Sequence, residues 1–131
     1  MKEIDSKRMF LDSSVWLAYF LGQSLETKKI IESDDNTLFA SIISLHEIFK
    51  KLKKIQTEKE TLEKISFIEN IATIIGLNKE SVIDAVNNCE KYGLHTIDSL
   101  IYTTAAQNKI FFVTTDNHFC KTPNTKIIKL Q

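Results

Sequence analysis

The stretch FFVTTDNHF, Phe111–Phe119, opens with three large apolar residues and turns polar at Thr114-Thr115-Asp116. Its first half reads as a short buried strand. A carboxylate closing a buried strand needs a reason, because an isolated charge is costly away from water. RMFL, Arg8–Leu11, has the same form and runs straight into Asp12.

Three more strand-sized runs lie outward from these two: LFAS (Leu38–Ser41), ATII (Ala72–Ile75) and KIIKL (Lys126–Leu130). ATII is the least secure of the five strands, with the tail of the preceding helix as its other reading, since periodicity cannot settle so short a run. Helical patterns fill the gaps. Val15 to Leu21 is apolar nearly all round and stops at Gly22. Ser44 to Ile55 lines up Leu45, Ile48, Phe49, Leu52 and Ile55. Thr57 to Glu69 opens with Thr57 and Glu60 at capping-box spacing. Ser81 to Tyr92 ends at Gly93, and Thr96 to Asn108 aligns Ile97, Leu100, Ile101, Thr104 and Ala105. Strands alternating with helices imply right-handed crossovers and a mostly parallel sheet covered on both faces. Near-continuous apolar strands agree with that burial.

The chain has 131 residues, 43% of them hydrophobic, which suits a single domain over residues 1–131. The three Gly and one Pro leave little material for linkers. Formal net charge is zero, so any attraction for nucleic acid must be local. The densest basic run is Lys50, Lys51, Lys53 and Lys54, which reads either as a solvated helix face or as a substrate contact. Cys89 and Cys120 are far apart and outside any CxxC spacing, which fits a reduced interior. No apolar run approaches ~18 residues and the start lacks a signal-type apolar region, so a cytoplasmic protein without a membrane span is expected.

In open parallel sheets, ligands sit beyond the carboxyl ends of the strands. Asp12 and Asp116 would then share one rim. Glu47 near the start of the Ser44 helix and Asp98 in the first turn of the Thr96 helix can join them. Carboxylates in contact disfavour each other's charge unless a cation joins them. Hard oxygen donors suit Mg²⁺ or Mn²⁺, and such an ion activates water and neutralises charge on a phosphodiester. Each acid also has a local role open to it. Ser44 and Glu47 stand at capping-box spacing, and Lys51 lies one turn beyond Glu47. Asp98 complements a helix dipole, Asp116-Asn117 suits a turn, and Asp12 suits a helix cap. Spacing alone leaves both readings standing.

The segments MFLDSSVWLAYF, SIISLHEIFKKL and HTIDSLIYTTAAQNKIFFVTTDNHF together resemble the PIN domain family, in order and in spacing. The resemblance runs from Met9 to Leu130 and is nearest to VapC-type toxins of prokaryotic toxin–antitoxin pairs. It implies a three-layer α/β/α fold with a short, mostly parallel central sheet. It implies an endoribonuclease using one or two Mg²⁺ or Mn²⁺ ions, with Asp12, Glu47, Asp98 and Asp116 as catalytic acids. Asp12, Asp98 and Asp116 would ligate metal directly or through water, Glu47 would help activate water, and Ser14 and Thr114 would orient the acids. RNA as substrate, a cognate antitoxin and a homodimer follow from the same resemblance. A PIN nuclease of RNA processing and a non-catalytic PIN-like binding module are the alternatives.

His118 departs from the family pattern, standing where relatives carry an acid. It contacts metal or phosphate, or merely closes the turn. Lys50 and Lys51 are the other candidate substrate contacts. His95 is either a phosphate contact or a neighbour of a helix cap, and His46 reads as structural. Trp16, Tyr19 and Phe20 read as core by default, with dimer or antitoxin contacts as the other readings.

Overall fold

The computed structural model describes residues 4–130. Residues 1–3 and 131, the ends of the domain expected over 1–131, lie outside the described residues. The chain alternates strands and helices: β1 (Arg8–Leu11), α1 (Ser13–Phe20), α2 (Leu25–Glu32), β2 (Thr37–Ser41), α3 (Ile42–Leu52), α4 (Glu58–Ile71), β3 (Ala72–Ile75), α5 (Lys79–Tyr92), α6 (Thr96–Gln107), β4 (Phe111–Thr114) and β5 (Thr125–Ile127). A short 3-10 turn, Asn117–Phe119, follows β4.

The five strands form one sheet in the order β3-β2-β1-β4-β5. Every pairing is parallel, so the carboxyl ends share one rim. Strand order reverses between β1 and β4, the place where open α/β sheets leave a crevice for ligands. There Phe10 pairs with Phe112 and Leu11 with Val113. The ladder runs on one step further, with Asp12 N donating to Val113 O at 2.9 Å.

Side-chain alternation along the strands builds two cores. Leu11, Leu38, Ala40 and Val113 face Val15, Trp16, Ile30, Ile48, Leu52 and Ile68 from α1 to α4. The register lines up Phe39, Phe10 and Phe112 as a row across the other face, under Ile101, Tyr102 and Ala105 of α6. Burying a side chain of this size is worth about 2–3 kcal/mol, so the row fixes α6, and Asp98 with it, against the sheet. Trp16 is fully buried, while Tyr19 and Phe20 pack on that core beside Phe67.

ATII is a strand at the bounds expected, Ala72–Ile75, paired along its length with β2. Several other boundaries differ from the sequence reading. α2 was not expected: its amphipathic run is short, buries only Thr27, Ile30 and Ile31, and depends on the Ser24 cap, which accepts from Thr27 N. α3 begins at Ile42, not Ser44, because Ser41 is the cap and its hydroxyl accepts from Ile43 N at 3.0 Å. α5 begins at Lys79, under a reciprocal Asn78–Ser81 cap, and ends at Gly93, whose φ of 67° suits glycine. The Thr57–Glu60 capping box is present. β5 ends at Ile127, short of the Leu130 expected from KIIKL. No helix among the described residues is long and apolar enough to cross a membrane.

Candidate active site

Asp12 occupies the cap position of α1 but makes no side-chain cap bond. Its carboxylate is turned instead toward β4. Oδ2 accepts from Thr114 Oγ1 at 2.8 Å and from Ser14 Oγ at 2.9 Å. Ser14 Oγ in turn accepts from Thr115 N at 3.0 Å, and Thr114 Oγ1 accepts from Asp116 N at 3.1 Å. Two hydroxyls thus hold the end of β1 to the end of β4. Burial pushes the Asp12 carboxyl up to about 6, and the charges of Asp98 and Glu47 push the same way, against the lowering hydrogen bonds from Thr114 and Ser14.

Glu47 has no capping role. With the helix starting at Ile42, it lies in the second turn of α3, and the Ser44 hydroxyl is buried without a partner. The capping box offered by Ser44 and Glu47 is therefore corrected. The Lys51 partner is absent too, since the ion pairs among the described residues are Lys53–Glu58, His118–Asp116 and Lys126–Glu26. Glu47 Oε1 instead accepts from Ser13 Oγ at 2.9 Å, a bond from α1 to α3.

Asp98, half-buried in the first turn of α6, has its pKa raised by burial first, then by the charges of Asp116 and Glu47, with His95 and His118 pulling down. Asp116 Oδ1 accepts from the His118 backbone N–H at 2.9 Å and lies 2.9 Å from His118 Nδ1. Donor atoms of Asp98, Asp116 and His118 lie within 4.8 Å of one another. Asp12 lies outside that close group. It is tied to it through Thr114 and through the charge it shares with Asp98.

A groove of about 330 Å³ abuts this rim, lined by Ile43, His46, Glu47, Lys50, Lys51, Lys54 and Ile97. It shares Glu47 with the acid cluster, and Ile97 adjoins Asp98 in sequence. None of its three lysines is ion-paired among the described residues. Lys53, on the other hand, lies 3.8 Å from Glu58 and over the Phe49 ring.

The family described as PIN domain matches residues 9–124. The chain belongs to the PIN domain family. Solved structures agree on the fold. A toxin–antitoxin complex from Klebsiella pneumoniae is similar at TM-score 0.75 and 21% identity, covering 90% of this chain and 95% of that chain. VapBC2 from Rickettsia felis, bound to a DNA fragment from its promoter, gives 0.74 and 18%, covering 95% and 99%. VapC20 of Mycobacterium tuberculosis, a sarcin-ricin loop cleaving toxin, gives 0.72 and 12%, covering 88% and 95%. Among curated proteins none matches in sequence.

In this PIN domain the sequence reading missed Ser13, the residue that holds Glu47. The only available signal was a second small polar residue after Asp12, and an adjacent serine is ordinary at the start of a helix. His46, read as structural, is exposed on the groove. His95 stands at the α6 cap without a side-chain cap bond, its ring edge-on to that of His118 at 6.0 Å.

Proposed function

We propose that this PIN domain is a divalent-metal-dependent endoribonuclease and the toxin of a toxin–antitoxin pair, acting as one domain over residues 1–131. The observation that carries the reading is the convergence of four acids on one rim with their local roles unfilled or secondary. Asp12 is 4% exposed and does not cap its helix, and Glu47 neither caps nor pairs with lysine. Such a set costs stability unless a cation joins it. All the acids offer hard oxygen donors, which fit Mg²⁺ or Mn²⁺. Asp98 and Asp116 would hold the ion, with Asp12 reaching it directly or through water. Bound there, one or two such ions would supply an activated water and neutralise charge on the scissile phosphate.

The protein's own groups do the rest. Glu47, fixed by Ser13, takes a proton from the attacking water. Ser14 and Thr114 keep Asp12 oriented. Water attacks phosphorus and the bond to the 3′-oxygen breaks; that oxygen takes a proton from solvent, leaving a 5′-phosphate and a 3′-hydroxyl. Lys50 and Lys51, with Lys54, carry the phosphates of the flanking strand along the groove. The VapBC and toxin–antitoxin neighbours support an antitoxin partner, and a second copy of the chain is proposed on the family resemblance alone. The sarcin-ricin loop cleaving neighbour supports RNA as the substrate.

Purified protein incubated with cellular RNA in Mn²⁺, Mg²⁺ or EDTA, beside Asp12→Asn, tests the proposal. Cleavage that needs both metal and Asp12 is expected. Cleavage indifferent to both would overturn the assignment. A folded, metal-binding protein that leaves RNA intact would favour the binding-module reading.

A further inference from the structure

We infer that His118 ligates the divalent cation through its imidazole, so that this site prefers Mn²⁺ to Mg²⁺. The inference rests on the rim being a metal site and adds which ion it selects and why. The turn around His118 does not need the ring. The His118 amide donates to Asp116 Oδ1 at 2.9 Å, and the Cys120 amide donates to Asn117 O at 3.1 Å. Any residue at the position supplies that amide. The imidazole is nonetheless folded back on the same carboxylate, with Nδ1 2.9 Å from Asp116 Oδ1.

The neighbouring residue fixes this pose. Phe119 is fully buried, its ring 4.9 Å from that of Phe112 and 6.5 Å from that of Tyr102. The core thus pins residue 119, and the side chain of His118 stays exposed at the rim. The His95 ring meets it edge-on at 84°.

Distance and donor type agree. Around an octahedral ion with bonds of ~2.1 Å, neighbouring donors stand ~3 Å apart and opposite ones ~4 Å apart. The Nδ1–Oδ1 contact is an ion pair whose length also matches the neighbouring value, and Asp98, Asp116 and His118 place one donor each within 4.8 Å of the others. To ligate, Nδ1 gives up its proton to solvent and the ring's remaining proton sits on Nε2. Mg²⁺ keeps to oxygen ligands and dehydrates reluctantly, whereas a nitrogen donor is accepted by first-row transition ions, of which Mn²⁺ is the weakest binder but the one that also suits carboxylates. One nitrogen among carboxylates therefore moves selectivity toward Mn²⁺.

The test is electron spin-echo envelope modulation of bound Mn²⁺ in the wild type, His118→Asp and His95→Gln, together with Mn²⁺ and Mg²⁺ dissociation constants. Nitrogen modulation is expected in the wild type and in His95→Gln and absent in His118→Asp. The ratio of Mn²⁺ to Mg²⁺ affinity should fall about tenfold or more in His118→Asp, in line with the sensitivity of metal sites to their supporting groups. Bound Mn²⁺ without nitrogen modulation in the wild type, or modulation that survives His118→Asp, overturns the inference and leaves the nuclease proposal intact. No Mn²⁺ bound by the folded wild type overturns both.

Discussion

Ser13 Oγ donates to Glu47 Oε1 at 2.9 Å, joining the first turn of α1 to the second turn of α3. It leaves Glu47 Oε2 without a hydrogen bond among the described residues and holds the carboxylate where its charge raises the pKa values of Asp12 and Asp98. Ser13→Ala removes only that orienting bond. It should lower kcat by about tenfold with little change in KM, and lower stability by about 1 kcal/mol. Steady-state cleavage kinetics and a urea melt check both numbers.

Glu47→Gln keeps an oxygen to accept the Ser13 hydrogen and removes the base. Activity should fall by about 100-fold while the melting temperature holds. Were Glu47 a helix cap, the reverse would hold, with a small stability loss and activity retained.

Thr114 both donates to Asp12 and accepts from the Asp116 amide. Thr114→Val matches its shape and removes both bonds at a fully buried position. The expected cost is about 1–3 kcal/mol in stability and about 10- to 100-fold in metal affinity. Calorimetric metal titration of the folded variant measures the second.

The Asp12 carboxyl, held near 6 against an ordinary 3.8, gives stability a definite pH dependence. Between those values the folded state keeps a proton that the unfolded state has released. Stability of the metal-free protein therefore falls as pH rises through that window and levels off above it, by about 3 kcal/mol. Asp12→Asn cannot ionise and should flatten this component, so the variant should be more stable than the wild type at neutral pH without metal. Mn²⁺ at about 100 times its dissociation constant should restore about 2.7 kcal/mol to the wild type. Urea melts at several pH values, with and without metal, read all three effects.

Much of this was legible in the sequence for identifiable reasons. RMFL and FFVT are strands to the residue because each is an apolar run that ends abruptly in polar residues. The paired Asp12 and Asp116 follow from two such strands lying parallel. α2 was illegible because its amphipathic run, Leu25–Glu32, covers only about two turns, too short for its period to be told from a loop, and its start rests on the Ser24 cap. The α3 start was misplaced because Ser41 and Ser44 are both good caps, and only the β2 pairing decides between them. Ser13–Glu47 spans two elements distant in sequence, and no local pattern announces such a bond.

Lys50 and Lys51 line the groove beside Glu47. Lys50→Gln with Lys51→Gln should raise KM for RNA several-fold, leave kcat nearly unchanged, and reduce the salt dependence of binding by about 1.4 to 2 units of slope, about 0.7 to 1 for each lysine. Binding measured over a range of salt concentrations separates this from a change in the metal site.

The most direct measurement is RNA cleavage by the wild type and Asp98→Asn, each with Mn²⁺ and with EDTA, on protein shown to be folded. Asp98 feels the charges of Asp116, Glu47 and the two histidines and offers a donor atom within 4.8 Å of Asp116 and His118, so its charge is central to the proposed ion site. The wild type should cut RNA with Mn²⁺ and not with EDTA, and Asp98→Asn should lose about 100-fold or more of that rate. Full activity in folded Asp98→Asn would contradict the account.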